Sequence, residues 1–220
     1  IVKDLSIEGP SNTGTAIDVI DTNTTIENVE VGSGSAPDTG VKINDSGCTL
    51  RDSTITVNPT AAIEIDGGGN VIEDSTLQTA SGTSGGDGIL INDAGSSENL
   101  IALNDIDSDF ENGIKIKSGA SNVGNVKVRF NNIRGDSGKD SNAIDNDSGT
   151  VVDARSNFWD EKTGPSGGVD DPNTARTANG QGDAISRNVR YDEFLEISND
   201  FILNTGSPHG GRDTDGDGLH

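Results

Sequence analysis

The stretch Gly40–Ile55, GVKINDSGCTLRDSTI, admits two readings. Val41 and Ile43 alternate with polar residues, Asp-Ser-Gly follows, and Leu50 opens a second short apolar run, which in isolation describes a hairpin around a tight turn. The rest of the chain decides against it. The apolar pair Leu50/Ile55 recurs at the same interval as Val2/Ile7, Ile26/Val31, Ile72/Leu77, Ile101/Ile106 and Val128/Ile133. Between these pairs stands a second pattern, a small residue followed by apolar, any, apolar: AIDV from Ala16, GVKI from Gly40, AIEI from Ala62, GILI from Gly88, GIKI from Gly113, and a degraded AIDN from Ala143.

The first members of the pairs, at 2, 26, 50, 72, 101 and 128, are 22 to 29 residues apart, about one coil of a parallel β-solenoid. Side chains along a straight strand alternate with period two, so residues five apart share a face only if the chain bends between them. Asp4, Asn28, Asp52 and Asp74 occupy the bend, and Asn and Asp are the non-glycine residues that best tolerate a left-handed backbone. A hairpin gives no reason for six similar copies. Stacked coils do, because each has too few apolar residues to bury anything alone.

The reading is therefore an all-β, right-handed, single-stranded parallel β-helix of six to seven coils. Outward positions support it. Asp18, Lys42, Glu64, Leu90, Lys115 and Asp145 form one column, and Lys3, Glu27, Arg51, Glu73, Ala102, Arg129 and Asp153 a second, with charge signs alternating until an uncharged residue intervenes. Such columns specify register, since a slip of one residue turns core side chains outward.

Hydrophobic residues make up only 30% of the chain and aromatics 3%, while 37 acidic against 15 basic residues give a net charge of −22. A polyanion is repelled by that surface, which excludes nucleic acid as a partner. Short hydrated carboxylates in such excess point to life in molar salt, where the Debye length falls to roughly 3 Å. The single Cys48 rules out an internal disulfide framework and reads as a small buried hydrophobe. No apolar run of membrane length is present, and the strand-like opening IVKDLSI suggests a mature form or an excised domain. Sequons at Asn23, Asn44 and Asn146 weakly favour a surface location.

With LNDI at 103 and FNNI at 130, the coils resemble the right-handed β-helix repeats of carbohydrate-binding proteins and sugar hydrolases. The segments SNFWDEKTGPSGG from Ser156 and GQGDAISRNVRYDEFL from Gly180 resemble the closing segment of surface β-helix proteins of the periplasmic copper-processing, NosD-like type. That resemblance implies that Phe158, Trp159, Tyr191 and Phe194 plug the last coil, Asp160 and Phe194 replacing a glycine and a tryptophan of the family pattern. Phe201 joins the same aromatic cluster. Expected boundaries are coils over 1–157, a cap over 158–203 and an acidic tail over 204–220.

The connection after each apolar pair is longer in the fourth and sixth coils than in the fifth, which predicts a shallow groove over the fifth coil. Its floor would carry Asp105, Asp107, Asp109, Phe110 and Glu111, with Lys115 and Lys117 nearby. For an enzyme, Asp105, Asp107, Asp109 and Lys115 are the catalytic candidates, as acid, base or calcium ligands in cutting a polysaccharide. For a binding protein, Asp107, Asp109, Phe110, Glu111 and Lys117 would contact the sugar. Arg129 and Arg134 read as ladder and loop charges. His209 and His220 stand in no zinc or triad arrangement.

In the tail, Asp213, Asp215 and Asp217 with Gly218 match the first half of a calcium loop that lacks its closing acid, and calcium is the one cofactor the sequence suggests. The preferred function is a non-catalytic extracellular or cell-surface scaffold or adhesin of a halophile, expected to be archaeal, that binds surface polysaccharide or other cell-surface proteins. A polysaccharide lyase or glycoside hydrolase is the alternative, and a fibre subunit the third reading.

Overall fold

The structure is a computed structural model that describes residues 1–8, 14–32, 36–58, 60–107, 109–134 and 142–198. Every strand pair is parallel, and each strand pairs with its counterpart one coil away. The chain is a parallel β-helix, as expected, and no hairpin forms at Gly40–Ile55. Thr49–Arg51 and Thr54–Val57 lie on the first and second faces of one coil, and Thr39–Ile43 and Ala61–Ile65, before and after them, on the third.

The third face is a six-stranded sheet of Thr15–Val19, Thr39–Ile43, Ala61–Ile65, Asp87–Ile91, Asn112–Ile116 and Asn142–Asn146. These strands bound five full turns. The expectation of six to seven coils included the first and last rungs, which this sheet does not close. The other two faces form one twelve-stranded sheet, because Val2–Ile7 and Thr25–Val31 run unbroken through the corner that later coils break.

That corner is the predicted bend. Asp4, Asn28, Asp52 and Asp74 have φ of 54°, 52°, 52° and 48°. Later coils put Leu103, Phe130, Ser156 and Glu193 there with φ from 55° to 72°. A left-handed L-residue costs about 1–2 kcal/mol, and Asn and Asp are least penalised. On either side of the bend the members of each apolar pair face inward, and from Ile26 to Ile133 all ten are buried.

The small residue of the second pattern has a steric cause. A Cβ on Gly88 would lie 2.6 Å from Ile106 Cγ2, and one on Gly113 would lie 2.6 Å from Ile133 Cγ2. At these rungs even the Cβ of Ala would clash, so Gly is required, while Ala62 and Ala143 fill the same position on other rungs.

Just past the bend runs a buried polar ladder that the sequence reading missed. Ser53 Oγ accepts from Val29 N (3.2 Å), Ser75 Oγ from Ser53 N (3.2 Å) and Asn104 Oδ1 from Ser75 N (3.1 Å). Asn131 Oδ1 accepts from Asn104 N and Asn157 Oδ1 from Asn131 N, both at 2.9 Å. Each amide also donates to carbonyls of its own and the preceding rung. These side chains satisfy backbone groups that a left-handed corner turns away from the regular ladder.

The first charge column has the predicted register throughout. The second needs one correction. Asp153 pairs with Lys127 and not with Arg129, so the same register sets Arg155 beside Arg129. Asp153 bridges the two guanidiniums: Arg155 Nε donates to Oδ1 at 2.9 Å and Arg129 Nη1 to the same oxygen at 2.9 Å. Burial alone would raise the Asp153 pKa, but Arg155 and Arg129 outweigh it and hold the carboxyl well below the usual range.

At the C-terminal end Trp159 takes the column of Ile106 and Ile133 and is sealed, as is Tyr191. Phe158 and Phe194 are half-buried, and Phe201 lies outside the described residues. Phe194 stands one rung beyond Asn157 and ends the amide ladder, under the Arg176 guanidinium at 5.2 Å. Buried Asp171 clips this segment together. Its carboxylate accepts from the backbone N–H groups of Asn173 (2.8 Å), Thr174 (3.0 Å), Tyr191 (2.8 Å) and Asp192 (2.9 Å). Burial opposes its charge, yet these bonds lower its pKa.

Candidate functional site

The fifth rung carries most of the predicted groups and separates them. Asp105 lies on the second face between Thr76 and Asn132, and the Arg134 guanidinium of the next rung holds its carboxylate. Lys115 lies on the third face between Leu90 and Asp145. Its ammonium donates to Asp145 and, at 2.8 Å, to Asp147. Partial burial works against that charge, but hydrogen bonds and attraction from Asp145 and Asp147 prevail and raise the Lys115 pKa. A lysine acting as a base needs the opposite shift.

The connection between these strands holds Asp107, half-buried and engaged, and Asp109 and Glu111, both exposed. Lys117 is exposed just past the third-face strand. Phe110 corrects the expectation: it is fully buried, its ring closing the corner beside Gly88 and unable to meet a sugar. An apolar residue in a short loop over a narrow core fills the gap between faces.

The fourth-coil connection does not stand clear as a groove wall. Its Gly85 N donates to Asp109 O at 3.0 Å, so the two loops are bonded together. Much of the longer sixth-coil connection, 135–141, lies outside the described residues. Two clefts lie at the ends of the solenoid: about 250 Å³ beside Thr163, Arg176, Asn179, Tyr191 and Phe194, and about 180 Å³ between Val2, Ile17, Ile20 and Ile26.

One acid the sequence reading passed over has the most altered chemistry in this region. Asp87 opens the fourth strand of the third face, between Ala61 and Asn112. Burial pushes its carboxyl up to about 6, against the hydrogen bond from Asn112 Nδ2 (2.9 Å) and the charge of Lys115, while Glu111 and Asp145 push it further up. Asn112 Oδ1 is buried and unpartnered. Such a carboxyl holds a proton close to neutral pH, the property of a general acid. A signal existed: the column reads Thr15, Thr39, Ala61, Asp87, Asn112, Asn142, one acid among uncharged residues.

Among the described residues no group of three or more His, Cys, Asp or Glu is placed to hold a metal ion. The tail triad Asp213, Asp215 and Asp217 lies outside them. The buried Cys48 sits with its Sγ 3.4 Å from Asp21 O. Of the sequons, Asn23 and Asn44 are exposed, whereas Asn146 is buried and its amide donates to Thr150 O and Asn188 O. No helix among the described residues is long and apolar enough to cross a membrane.

No curated protein and no solved structure matches the chain. A family described as right handed beta helix region matches residues 2–158, nearly all the coils. Parallel stacking, repeated bends and that match place the chain in the right-handed β-helix family.

Proposed function

We propose that this chain is a non-catalytic scaffold of an extracellular or cell-surface protein of a halophile, with surface polysaccharide or neighbouring surface proteins as its partners. One observation carries the reading: two of the groups a groove enzyme would use are engaged across rungs, Asp105 with Arg134 and Lys115 with Asp145 and Asp147. They specify register, and freeing them for chemistry would unpair charges along a stacked edge. Asp109, Glu111 and Lys117 remain exposed for sugar contacts, with Asp107 half-buried beside them. Calcium, in this reading, belongs to Asp213, Asp215 and Asp217.

The test is turnover. Reducing-end release and ultraviolet absorbance of unsaturated products are measured over acidic and neutral polysaccharides, at low and at molar salt; the scaffold reading expects none. Turnover abolished by Asp105→Ala or Lys115→Ala would overturn it. The lyase or hydrolase reading has one observation in its favour, the Asp87 carboxyl raised by burial to about 6 and within electrostatic range of Glu111, and turnover lost in Asp87→Asn would establish it.

A further inference from the structure

The corner column contains an anomaly. Asp4, Asn28, Asp52 and Asp74 suit a left-handed backbone, but Leu103 and Phe130 do not. Phe130 is also 45% exposed, on a chain with net charge −22. Asn at either position would relieve the backbone and solvate the corner, so folding does not explain an apolar pair there. We propose that Leu103 and Phe130 form a contact ridge for a second copy of this chain, packed antiparallel along the corner about a two-fold axis between the fifth and sixth rungs.

Such an axis lies tangent to the corner, reverses the order of rungs and keeps each face opposite its own kind. Leu103 of one copy then packs on Phe130 of the other, and the reverse. The fourth rung meets the seventh, which sets Glu73 against Arg155 and Asp74 against Ser156 of the second copy. The third meets the eighth and sets Arg51 against Asp192, with Asp52 and Glu193 the one like-charged pair. These assignments follow from the register that carries Arg51 to Glu73, Ala102 to Arg129 and Asp153 to Arg190. A parallel arrangement, about a two-fold along the solenoid, would instead oppose like corner residues, Asp52 to Asp52, Asp74 to Asp74 and Glu193 to Glu193. Of the three charged pairs that the reversal sets up, two are attractive, whereas the parallel arrangement offers only like pairs.

The contact is narrow. Six rungs spaced by about 4.8 Å give a line roughly 30 Å long, and at side-chain width it buries far less than the roughly 1,200 Å² of a stable complex. The dimer is accordingly weak and reversible. It suits a surface on which copies are crowded, and it requires no sugar.

Sedimentation velocity over a dilution series in molar sodium chloride tests it. The expected result is reversible dimerisation at high micromolar protein, weakened roughly tenfold or more by Phe130→Asn. Folding of the variant is safe, because Asn28 is native at the same corner, and its melting temperature stays level or rises. In a Cys48→Ser background, Leu103→Cys mixed with Phe130→Cys should form a disulfide dimer several-fold faster than either variant alone. A chain monomeric throughout, association unchanged by Phe130→Asn, or each cysteine variant linking preferentially to itself would overturn the proposal.

Discussion

At the N-terminal end of the solenoid Ile1, Leu5 and Ile20 are 88%, 48% and 70% exposed, whereas at the other end Trp159 and Tyr191 are sealed in the same core. The columns are continuous. Leu5 pairs with Val29, which is buried one rung further in. What differs is the covering: the last rungs lie beneath a segment clipped by Asp171, while among the described residues none covers the first rung. In a solenoid each rung gains its core from its neighbours, so a side chain's contribution depends on its distance from an open end more than on its type.

That comparison can be broken. The largest effect expected is for Trp159→Ala, a loss of about 3–5 kcal/mol measured by chemical denaturation; Leu5→Ala should change stability by no more than about 0.5 kcal/mol. Equal losses would mean that the two ends are covered alike. Next is Asp171→Ala, which leaves four backbone donors without their acceptor and should cost roughly 3 kcal/mol. Hydrogen exchange at Tyr191 and Asp192 should rise with it, while exchange at Val29 should not.

Between the ends, Asp87 supplies a pH probe. Its folded pKa of about 6 exceeds the ordinary carboxylate value, so its contribution is fully present below about pH 4 and is lost as pH rises through 6. It amounts to roughly 2–3 kcal/mol between pH 7 and pH 4. Asp153 and Asp171, with lowered values, act in the opposite sense and lose their contributions only below about pH 4. Stability should therefore rise from pH 7 toward pH 4.5 and then fall. Asp87→Asn should flatten the rise and stabilise the chain at pH 7, and an unchanged profile would sink the assignment. The smallest effect is a gain of about 1 kcal/mol in Phe130→Asn from relief of the left-handed corner, read as a melting temperature a few degrees higher.

How far the sequence reached follows from what each signal depends on. Val41, Ile43, Leu50 and Ile55 were legible because a face is a matter of period, and period is local. Asp52 was legible because backbone tolerance belongs to the residue itself. Arg129 was given the wrong neighbour because the last coils lose the apolar spacing that fixes register, and only the bonding of Lys127 to Asp153 restores it. Phe110 looked like a ligand contact because an aromatic in an acidic loop carries no mark of which way its ring turns. Asp87 was passed over because its chemistry is environmental: burial and Asn112, one rung away, make an ordinary carboxyl unusual.

Period, bends and charge order along Gly40–Ile55 and its copies determined by themselves that this chain winds into parallel coils, because these properties need only the residue and its near neighbours. The tertiary structure alone decided which charges cancel, which amides satisfy the corners, which end is sealed and which corner is left apolar. Stacked coils bring together residues some 25 positions apart, and the pairing energies of Ser53 with Ser75, Asn104 with Asn131 and Lys115 with Asp145 exist only across that gap.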